Sequence, residues 1–337
     1  MIPDIYILDC GAYSGGGEAL FQLGCDLISR GYKVFIIDGR KDPTIQPPEK
    51  FDKYFAFGLD YCDKDKVIDS ESSAIIVPEC ATEYLFHYKK AKAIIYWLSC
   101  KNYDGIYNWN MADTCINRLR HGARWNMIRT CHFMRNKIKY GNIRYPIKNA
   151  LNLSGSHYTN SMLSHANAPY LPLFHSIGID FLNAGMYTSR NNREDIVLYN
   201  PAKPSRLTRK LVKRGKFNYI PIQSMTVEQM IRLFRKAKLY IDFGNFPGPE
   251  RLPKETAFNG VNILVWDLHA ANTDDVLVPH QYKISVKSKP KDVEDLLGQM
   301  LRKYKEQSKD FDAFRKMIGQ LQSEYDRQLD AICQELS

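Results

Sequence analysis

Short apolar runs alternate with amphipathic stretches from the start of this chain. Residues 5–9 form one apolar run and residues 33–38 form a second. Between them, apolar side chains at positions 19, 20, 23, 27 and 28 follow the spacing of one helix face, over residues 18–30. Gly31 is placed to end that helix. The order predicts a strand, a helix and a second, parallel strand.

The same alternation returns later in the chain. We expect strands over 74–78, 150–153, 196–200, 217–221, 239–243, 261–266 and 283–286, and helices over 204–214, 226–238, 254–260, 293–304 and 311–336. Thr226, followed three residues later by Gln229, has the spacing of a capping box. Strands that alternate with helices predict the α/β class, with parallel, doubly wound sheets.

The length of the chain favours more than one core. With 337 residues, two domains of roughly 150 residues are the natural expectation. Residues 181–195 are rich in Asn, Ser and charge and lack apolar periodicity, as a linker would. The predicted organisation is an amino-terminal domain over 1–182, a second domain over 195–305, and a terminal helix over 306–337.

Composition narrows the functional classes. No run of about 18 uncharged apolar residues occurs, and the amino terminus lacks the pattern of a signal peptide, so membrane spanning and secretion are not expected. The eight cysteines are scattered without a Cys-x-x-Cys pair, which predicts reduced thiols in a cytoplasmic protein. The Asp-x-Asp spacing at Asp63 and Asp65 lies in a strongly charged stretch. We therefore expect no bound metal and no other cofactor.

Positive charge is concentrated in the middle of the chain. From residue 114 to 179 there is no Asp or Glu, whereas nine cations occur: Arg118, Arg120, Arg124, Arg129, Arg135, Lys137, Lys139, Arg144 and Lys148. Apolar residues such as Trp125, Met127 and Phe133 are interleaved with them. The segment 116–148 suits an anionic membrane surface that also receives apolar side chains. The alternative is a solvated basic face. Nucleic-acid binding is not expected, because no recognisable module is present.

Residues 240–267 have the pattern of a ligand site. An apolar strand enters a loop with two Gly and two Pro over 244–249, a short helix follows with Pro253 in its first turn, and another strand leaves. Ligands of parallel sheets bind beyond the carboxyl ends of strands, and helix N-termini there attract phosphates. Arg251 and Lys254 supply cations, and Glu255 can accept hydrogen bonds from sugar hydroxyls. The alternative is a set of solvated residues at a helix start.

These residues resemble the carboxyl-terminal half of GT-B glycosyltransferases. Pro253, Glu255, Ala257 and Gly260 match the pattern that binds the donor's diphosphate and ribose in that superfamily, so Glu255 looks like the ribose-binding carboxylate. Pro247 stands where many retaining members carry another Glu, which leaves the choice between retention and inversion open. The resemblance implies two Rossmann-like, doubly wound domains facing across a cleft, with carboxyl-terminal helices that cross back onto the first domain.

The resemblance extends to other segments. Gly15, Gly16 and Gly17 are similar to the first turn of bacterial capsule and O-antigen polysaccharide glycosyltransferases, and residues 11–17 are expected to form a loop. With Glu79, these glycines are candidates for binding the acceptor. The superfamily often neutralises the donor diphosphate just after the first strand of the second domain, where Asn200 and Lys203 stand. Gly244, Arg251 and Lys254 complete the expected donor site.

The catalytic group is ranked by position alone. Glu18 follows the glycines, and His157 follows a predicted strand and the turn at 154–156, so these two are the leading candidates for a general base. Glu79, Asp104 and His175 are further candidates. For each carboxylate the alternative is an ordinary helix-start charge, and for each histidine a structural role.

The expected function is sugar transfer from a nucleotide-sugar to a polysaccharide or lipid-linked oligosaccharide, on the inner face of a membrane. Two other classes remain open. One is a catalytically degenerate protein that binds nucleotide-sugars or glycans, favoured by Pro247 and by Lys101, which stands where the pattern often has an acidic residue. The other is an epimerase of the same fold, or a phosphorylase, for which no pyridoxal phosphate motif is present.

Overall fold

The structure is a computed structural model that describes residues 3–11, 15–40, 47–100, 103, 127–128, 130–131, 134–135, 138, 148–202 and 205–337. The chain divides into two compact units. The first comprises Met1–Leu173 together with Gln328–Ser337, and the second comprises Phe174–Arg327. This division falls earlier in the chain than the 181–195 segment in which the sequence predicts a boundary.

The first unit is built on a seven-stranded parallel sheet. Its order is β3-β2-β1-β4-β5-β6-β7. The strands are β1 (Asp4–Asp9), β2 (Val34–Asp38), β3 (Asp60–Cys62), β4 (Ser73–Pro78), β5 (Lys92–Trp97), β6 (Leu151–Ser154) and β7 (Tyr170–Pro172). The central strands are buried along nearly their whole length, as expected for parallel strands covered on both faces. Trp97 lies in the core, where its indole Nε1 donates to Asn152 Oδ1 at 2.9 Å.

The α-helices of this unit whose bounds are described in full are α1 (Gly15–Ile28), α2 (Asp52–Ala56) and α3 (His157–His165). The prediction of a loop through residue 17 is wrong, because Gly15, Gly16 and Gly17 form the first turn of α1. The chain bends at Gly11, whose φ is +70° and whose N–H donates to Asp9 Oδ1 at 2.8 Å. The glycines are therefore free to extend a helix that buries Leu20, Leu23 and Leu27 among others.

The second unit contains a five-stranded parallel sheet in the order β12-β11-β10-β8-β9. Its strands are β8 (Glu194–Tyr199), β9 (Asn218–Pro221), β10 (Ala237–Asp242), β11 (Asn262–Trp266) and β12 (Lys283–Ile284). Its helices are α4 (Ile179–Asn183), α5 (Arg206–Arg214), α6 (Val227–Lys236), α7 (Arg251–Phe258), α8 (Pro290–Arg302), α9 (Tyr304–Gln307) and α10 (Asp312–Leu336), which continues into the first unit's residues. The α/β class with two doubly wound parallel sheets is confirmed.

Short-range sequence features predict the positions of helices α6 and α7. Thr226 accepts from the Gln229 N–H while the Gln229 side chain accepts from the Thr226 N–H, which completes the capping box of α6. Helix α7 begins three residues before its predicted start and ends before Gly260, whose φ is +87°. Within the described ranges, every helix is too short or too polar to cross a membrane.

Helix α7 is held at its carboxyl-terminal end by two buried arginines. Arg193 Nη2 donates to the Asn259 carbonyl at 2.6 Å, and Arg315 Nε donates to the Ala257 carbonyl at 3.0 Å. Arg315 Nη2 and the Tyr304 hydroxyl both donate to the Gly260 carbonyl, at 3.0 and 2.7 Å. Cations and donors at this end satisfy carbonyls that the helix leaves unpaired. The opposite end of α7 is thereby fixed in position.

Candidate functional site

Sheet order identifies one position in the second unit where a ligand can enter. The chain passes from β8 outward to β9 and then returns to β10 on the other side of β8, which makes the β8–β10 pair a topological switch point. Tyr199 of β8 pairs in register with Ile241 of β10. Asn200 and Asp242 are the next residues, so their backbones are neighbours at the carboxyl edge. The Asn200 side chain accepts from the Ala202 N–H at 2.9 Å.

The loop after β10 begins with a fixed carboxylate. Asp242 Oδ2 accepts from the Tyr240 hydroxyl at 2.7 Å, and Oδ1 accepts from the Gly244 N–H at 2.9 Å. Tyr240 is fully buried, and burial together with the negative charge of Asp242 raises the pKa of the Tyr240 phenol well above its ordinary value. The phenol therefore stays protonated and remains a donor to Asp242.

The first turn of α7 carries the charged residues predicted for the donor site. Glu255 Oε1 accepts from the Gly178 N–H at 3.3 Å and lies 3.8 Å from Arg251 Nε. Both side chains are mostly buried, with Arg251 17% and Glu255 12% exposed. The N–H groups of the helix start, one guanidinium and one carboxylate thus lie close together. A phosphate can be bound by the first two groups and a sugar hydroxyl by the third.

Lys254 lies inside the second unit and not on its surface, with 5% of the residue exposed. Burial lowers the pKa of the Lys254 ammonium, the negative charge of Asp275 opposes this change, and Arg251 adds to it. Asp275 is itself buried, at 5% exposure. Lys254 therefore contributes a buried positive charge at the helix start, opposed by the Asp275 carboxylate, which the sequence pattern does not indicate.

His175 is the second buried ionisable group beside this helix. Burial, with the positive charges of Lys254 and Arg251, lowers the pKa of the His175 imidazole well below its ordinary value. Its Nδ1 is buried and has no hydrogen-bond partner in the described part of the chain. A neutral imidazole next to two cations is therefore a property of this site. His175 is one of the candidate bases predicted from sequence, ranked below Glu18 and His157.

The structure brings most of the predicted donor-site residues together. Arg251, Lys254 and Glu255 share the first turns of α7, and Gly244 lies in the loop that leads to it from β10. Asn200 lies at the carboxyl end of the adjacent strand β8. Lys203 lies outside the described residues. Tyr240, which donates to Asp242, and Asp275, whose charge acts on Lys254, lie near these residues and are not indicated by the sequence pattern.

In the first unit, the candidate carboxylates have structural partners. Glu18 Oε1 accepts from the Tyr54 hydroxyl at 3.0 Å and lies 3.6 Å from Lys53 Nζ. Glu79 is 2% exposed, and its Oε2 accepts from the Leu98 N–H at 2.9 Å. Glu79 follows β4 and Leu98 follows β5, so this bond links the carboxyl ends of two neighbouring strands. Gly15, Gly16 and Gly17 precede Glu18 in the first turn of α1.

His157 is the first residue of α3, at the carboxyl end of β6. Ser156 caps this helix by accepting from the Thr159 N–H at 3.0 Å. Gly155 is required in the turn, because a Cβ there would lie 2.5 Å from the Trp97 carbonyl oxygen. The turn therefore fixes where His157 begins its helix. Asp104 lies outside the described residues.

Metal ligands do not cluster in the part of the chain that the structure describes. No group of three or more His, Cys, Asp or Glu side chains there could hold a metal ion. Independence from a metal and from other cofactors remains a prediction.

Comparison with known proteins gives a fold and no closer relationship. No family model and no curated protein matches the sequence. The chain is similar in structure to a glycosyltransferase from Rickettsia africae ESF-5, with a TM-score of 0.61, 12% identity and coverage of 99% of this chain and 98% of that one. It is also similar to Anabaena HepE in complex with UDP-glucose, with a TM-score of 0.57, 10% identity and coverage of 99% and 98%.

A third similar structure is Phytolacca americana UGT2 in complex with UDP-2fluoro-glucose and pterostilbene. Its TM-score is 0.54 at 10% identity, with 99% of both chains covered. Together with the two parallel sheets, these similarities give the chain the GT-B fold. At such low identity they establish the fold alone.

Proposed function

We propose that this protein is a glycosyltransferase that moves a sugar from a nucleotide-sugar donor to an acceptor glycan. The observation that carries the proposal is the arrangement at the start of α7, where Arg251, Lys254 and Glu255 stand next to the β8–β10 switch point. Similar structures contain UDP-glucose or a fluorinated analogue, which supports a nucleotide-sugar as the ligand class.

The donor diphosphate is proposed to lie at the first turn of α7. The helix N–H groups and Arg251 would bind its oxygens, and the buried ammonium of Lys254 would contribute positive charge from below. Glu255, which already accepts a hydrogen bond, would accept from the ribose hydroxyls. Asn200 and Lys203 are proposed to complete the site from the end of β8. Gly244 would allow the loop to approach the donor closely.

Negative charge develops on the diphosphate as the sugar leaves. Cations that meet this charge stabilise the transition state more than the bound substrate, so their loss should lower the rate more than the stability of the protein. Neutral His175 adds no positive charge to this environment, in which Arg251 and Lys254 are cationic. An inverting reaction would need a base for the acceptor hydroxyl, for which Glu18 and His157 remain our proposals, with Gly15, Gly16, Gly17 and Glu79 on the acceptor side.

The acceptor is proposed to be a polysaccharide or a lipid-linked precursor of surface polysaccharide, such as capsule or O-antigen. Within the basic segment 116–148, four described apolar residues are strongly exposed: Met127 at 63%, Ile128 at 58%, Met134 at 53% and Ile138 at 83%. Exposed apolar side chains among many cations support reversible binding to an anionic membrane. The protein would then work at the membrane where such acceptors are held.

Thermal stabilisation by UDP, GDP, CMP and dTDP nucleotides and their sugars tests the donor site. A ligand present at 100 times its dissociation constant stabilises a folded protein by about 2.7 kcal/mol. A shift with one nucleotide and its sugar would support the proposal. Absence of a shift with the whole panel would contradict it.

Product analysis separates the proposal from the alternatives of the same fold. A transferase consumes the nucleotide-sugar only when an acceptor is present, apart from slow hydrolysis, and releases the nucleotide. An epimerase would convert the donor without any acceptor. A degenerate binding protein would be stabilised by the nucleotide-sugar and would convert none of it.

Flotation with liposomes tests the membrane part independently. Vesicles that contain anionic lipid should bind the protein at low salt, and neutral vesicles should not. Charge reversal at Arg124 and Arg129 should abolish binding, and Ile138→Ser should weaken it. If the unmodified protein, the charge-reversal variant and Ile138→Ser float equally, the segment 116–148 is a solvated basic face and does not bind membranes.

A further inference from the structure

A cavity of about 330 Å³ opens at the amino edge of the second unit's sheet. It is lined by residues that lead into β8, by the second residue of β10 and by the junction between α8 and α9. Six of its lining side chains are cationic, namely Arg190, Arg193, Lys238, Arg302, Lys303 and Lys305. Glu306 is the single carboxylate of its lining.

This cavity is separate from the candidate donor site. Lys238 near the amino end and Asp242 at the carboxyl end belong to the same strand, β10. Four residues of extended strand span about 13 Å. The two locations therefore lie at opposite edges of one sheet.

Much of the positive charge around the cavity has no partner. Arg190 pairs with Asp312 at 2.6 Å, and Lys238 pairs with Asp195. Arg302, Lys303 and Lys305 make no ion pair within the described residues. Three unpaired cations around one concave surface repel one another, and an anion between them would relieve that repulsion.

Arg193 contributes a buried positive charge to the lining of the cavity. The residue is 9% exposed, and its guanidinium donates to the carbonyls of Phe234, Ala237 and Asn259 at 2.6–2.8 Å. No carboxylate contacts this guanidinium in the described chain, and burial lowers its pKa. Carbonyl oxygens satisfy the N–H groups but do not neutralise the charge. These hydrogen bonds hold the guanidinium in one position, so its charge is placed before any ligand binds.

Arg190 provides an unused hydrogen-bond donor in the same lining. Its Nη2 binds both oxygens of Asp312, at 2.7 and 2.6 Å. Its Nε is buried and has no partner in the described part of the chain. Buried donors in proteins are normally paired, and one without a partner in a cationic cavity indicates a missing acceptor.

We infer that this cavity binds a small anion with several phosphoryl charges, of the size of inorganic diphosphate. Arginine forks bind phosphoryl oxygens in pairs, and lysines add charge without a fixed direction. A singly charged anion would leave most of the charge of Arg193, Arg302, Lys303 and Lys305 unbalanced, whereas Arg190 and Lys238 already pair with carboxylates. The inference goes beyond the proposed sugar transfer and does not depend on it.

The test is calorimetric titration of the full-length protein with inorganic diphosphate at low ionic strength. The double variant Arg302→Gln/Lys303→Gln should raise the dissociation constant about tenfold or more, because two charge-assisted contacts are lost. Both residues are exposed, so the variant should fold, which circular dichroism checks. Lys289→Gln/Lys291→Gln is the matched control, with the same change of charge at the opposite end of α8, and should bind diphosphate as the unmodified protein does.

Arg251→Gln distinguishes this cavity from the donor site, which also has features that attract phosphate. Binding that survives Arg251→Gln and is lost in the Arg302→Gln/Lys303→Gln variant supports the inference. Binding that is lost in Arg251→Gln and kept in the double variant overturns it, as does failure of the unmodified protein to bind at millimolar diphosphate. If the Arg302→Gln/Lys303→Gln variant loses diphosphate binding but still binds the nucleotide-sugar normally, the proposed function is unaffected.

Discussion

Arg193 Nη2 donates a hydrogen bond of 2.6 Å to the carbonyl oxygen of Asn259, the residue that caps helix α7 at its carboxyl-terminal end. The two residues are 66 positions apart in the chain. The candidate donor site occupies the first turn of this eight-residue helix, which is about 12 Å long. The position of that first turn therefore depends on a contact made at the other end of α7.

Gly260 should be intolerant of a side chain, because the Arg193 contact leaves no room. Its φ is +87°, and a Cβ there would lie 2.1 Å from Arg193 Nη2 and 2.8 Å from the Tyr187 carbonyl oxygen. We expect Gly260→Ala to lower the free energy of unfolding by about 2–5 kcal/mol, from left-handed strain plus overpacking. Chemical denaturation followed by circular dichroism measures this change.

Gly215→Ala is the matched control for that substitution. Gly215 also ends a helix with positive φ, at +63°, but nothing lies within 4 Å of its added Cβ. Its cost should be about 1–2 kcal/mol, from strain alone. If Gly260→Ala and Gly215→Ala lower the free energy of unfolding equally, the close approach of Arg193 does not exclude a side chain at residue 260.

Glu255 and Arg251 should determine nucleotide-sugar affinity. Glu255→Gln removes the charge of the carboxylate proposed to accept hydrogen bonds from the ribose. Arg251→Gln removes a cation from the proposed diphosphate site. Each should weaken binding of the stabilising nucleotide about tenfold, as expected for the loss of one charge-assisted hydrogen bond. Calorimetric titration measures the affinity. Glu228→Gln, on an 83% exposed side chain at the start of α6, is the control and should bind normally.

The Tyr240 hydroxyl should stabilise the loop that follows β10. Tyr240→Phe removes the 2.7 Å bond to Asp242 and leaves a partly buried carboxylate with one donor fewer, at a cost of about 1–3 kcal/mol. Tyr219→Phe is the control, because the buried Tyr219 hydroxyl has no partner in the described chain. Its removal should leave the free energy of unfolding unchanged or raise it. A Tyr240→Phe protein as stable as the Tyr219→Phe protein would contradict the assigned bond.

His175 should make the protein less stable in mild acid. The pKa of His175 is lowered in the folded state, so as the pH falls this imidazole binds a proton in the unfolded chain before it does so in the folded chain. Stability is therefore fully present above the unfolded pKa of about 6.5 and falls at lower pH by at most about 1.4 kcal/mol per pH unit. Denaturation between pH 7.5 and 5.5 should show a shallower slope for His175→Gln. His165→Gln removes an exposed imidazole and should keep the original slope.

Cysteine reactivity should follow exposure and thiolate content. Burial raises the pKa of the Cys25 thiol to about 12, and the side-chain hydrogen bond with Cys80 and burial raise that of Cys10. Cys131 is exposed. A short pulse of iodoacetamide at pH 7.5, read by peptide mass spectrometry, should label Cys131 well before Cys25 and Cys10. Faster labelling of Cys10 would mean that its contact with Cys80 is absent in solution.

Sequence pattern was sufficient for the parts of the fold that depend on neighbouring residues. Strand β10, the Gly/Pro loop, helix α7 and strand β11 follow from apolar runs and breakers, and the Thr226 cap follows from a three-residue spacing. Arg251, Lys254 and Glu255 share a helix start, so their proximity is also local.

Features of the site that depend on long-range contacts cannot be predicted from the sequence pattern. The burial of Lys254, its neighbour Asp275 and the suppressed ionisation of His175 depend on residues brought together by folding. The helical state of Gly15, Gly16 and Gly17 was missed because glycine has a low intrinsic helix propensity, whereas packing of the apolar face of α1 outweighs that preference. The Arg193 contacts have no sequence signature at all.

The first unit includes Gln328–Ser337, and this arrangement bears on the timing of folding during synthesis. Tyr32 donates to the Cys333 carbonyl at 2.9 Å, Arg30 binds Asp330 at 2.7 Å, and Leu329 and Ile332 are buried. Domains commonly fold in order as they leave the ribosome. Here the amino-terminal unit emerges first but lacks its last helical turns until the whole second unit has been translated. Leu329 and Ile332 can therefore be buried in the first unit only after the whole second unit has been translated.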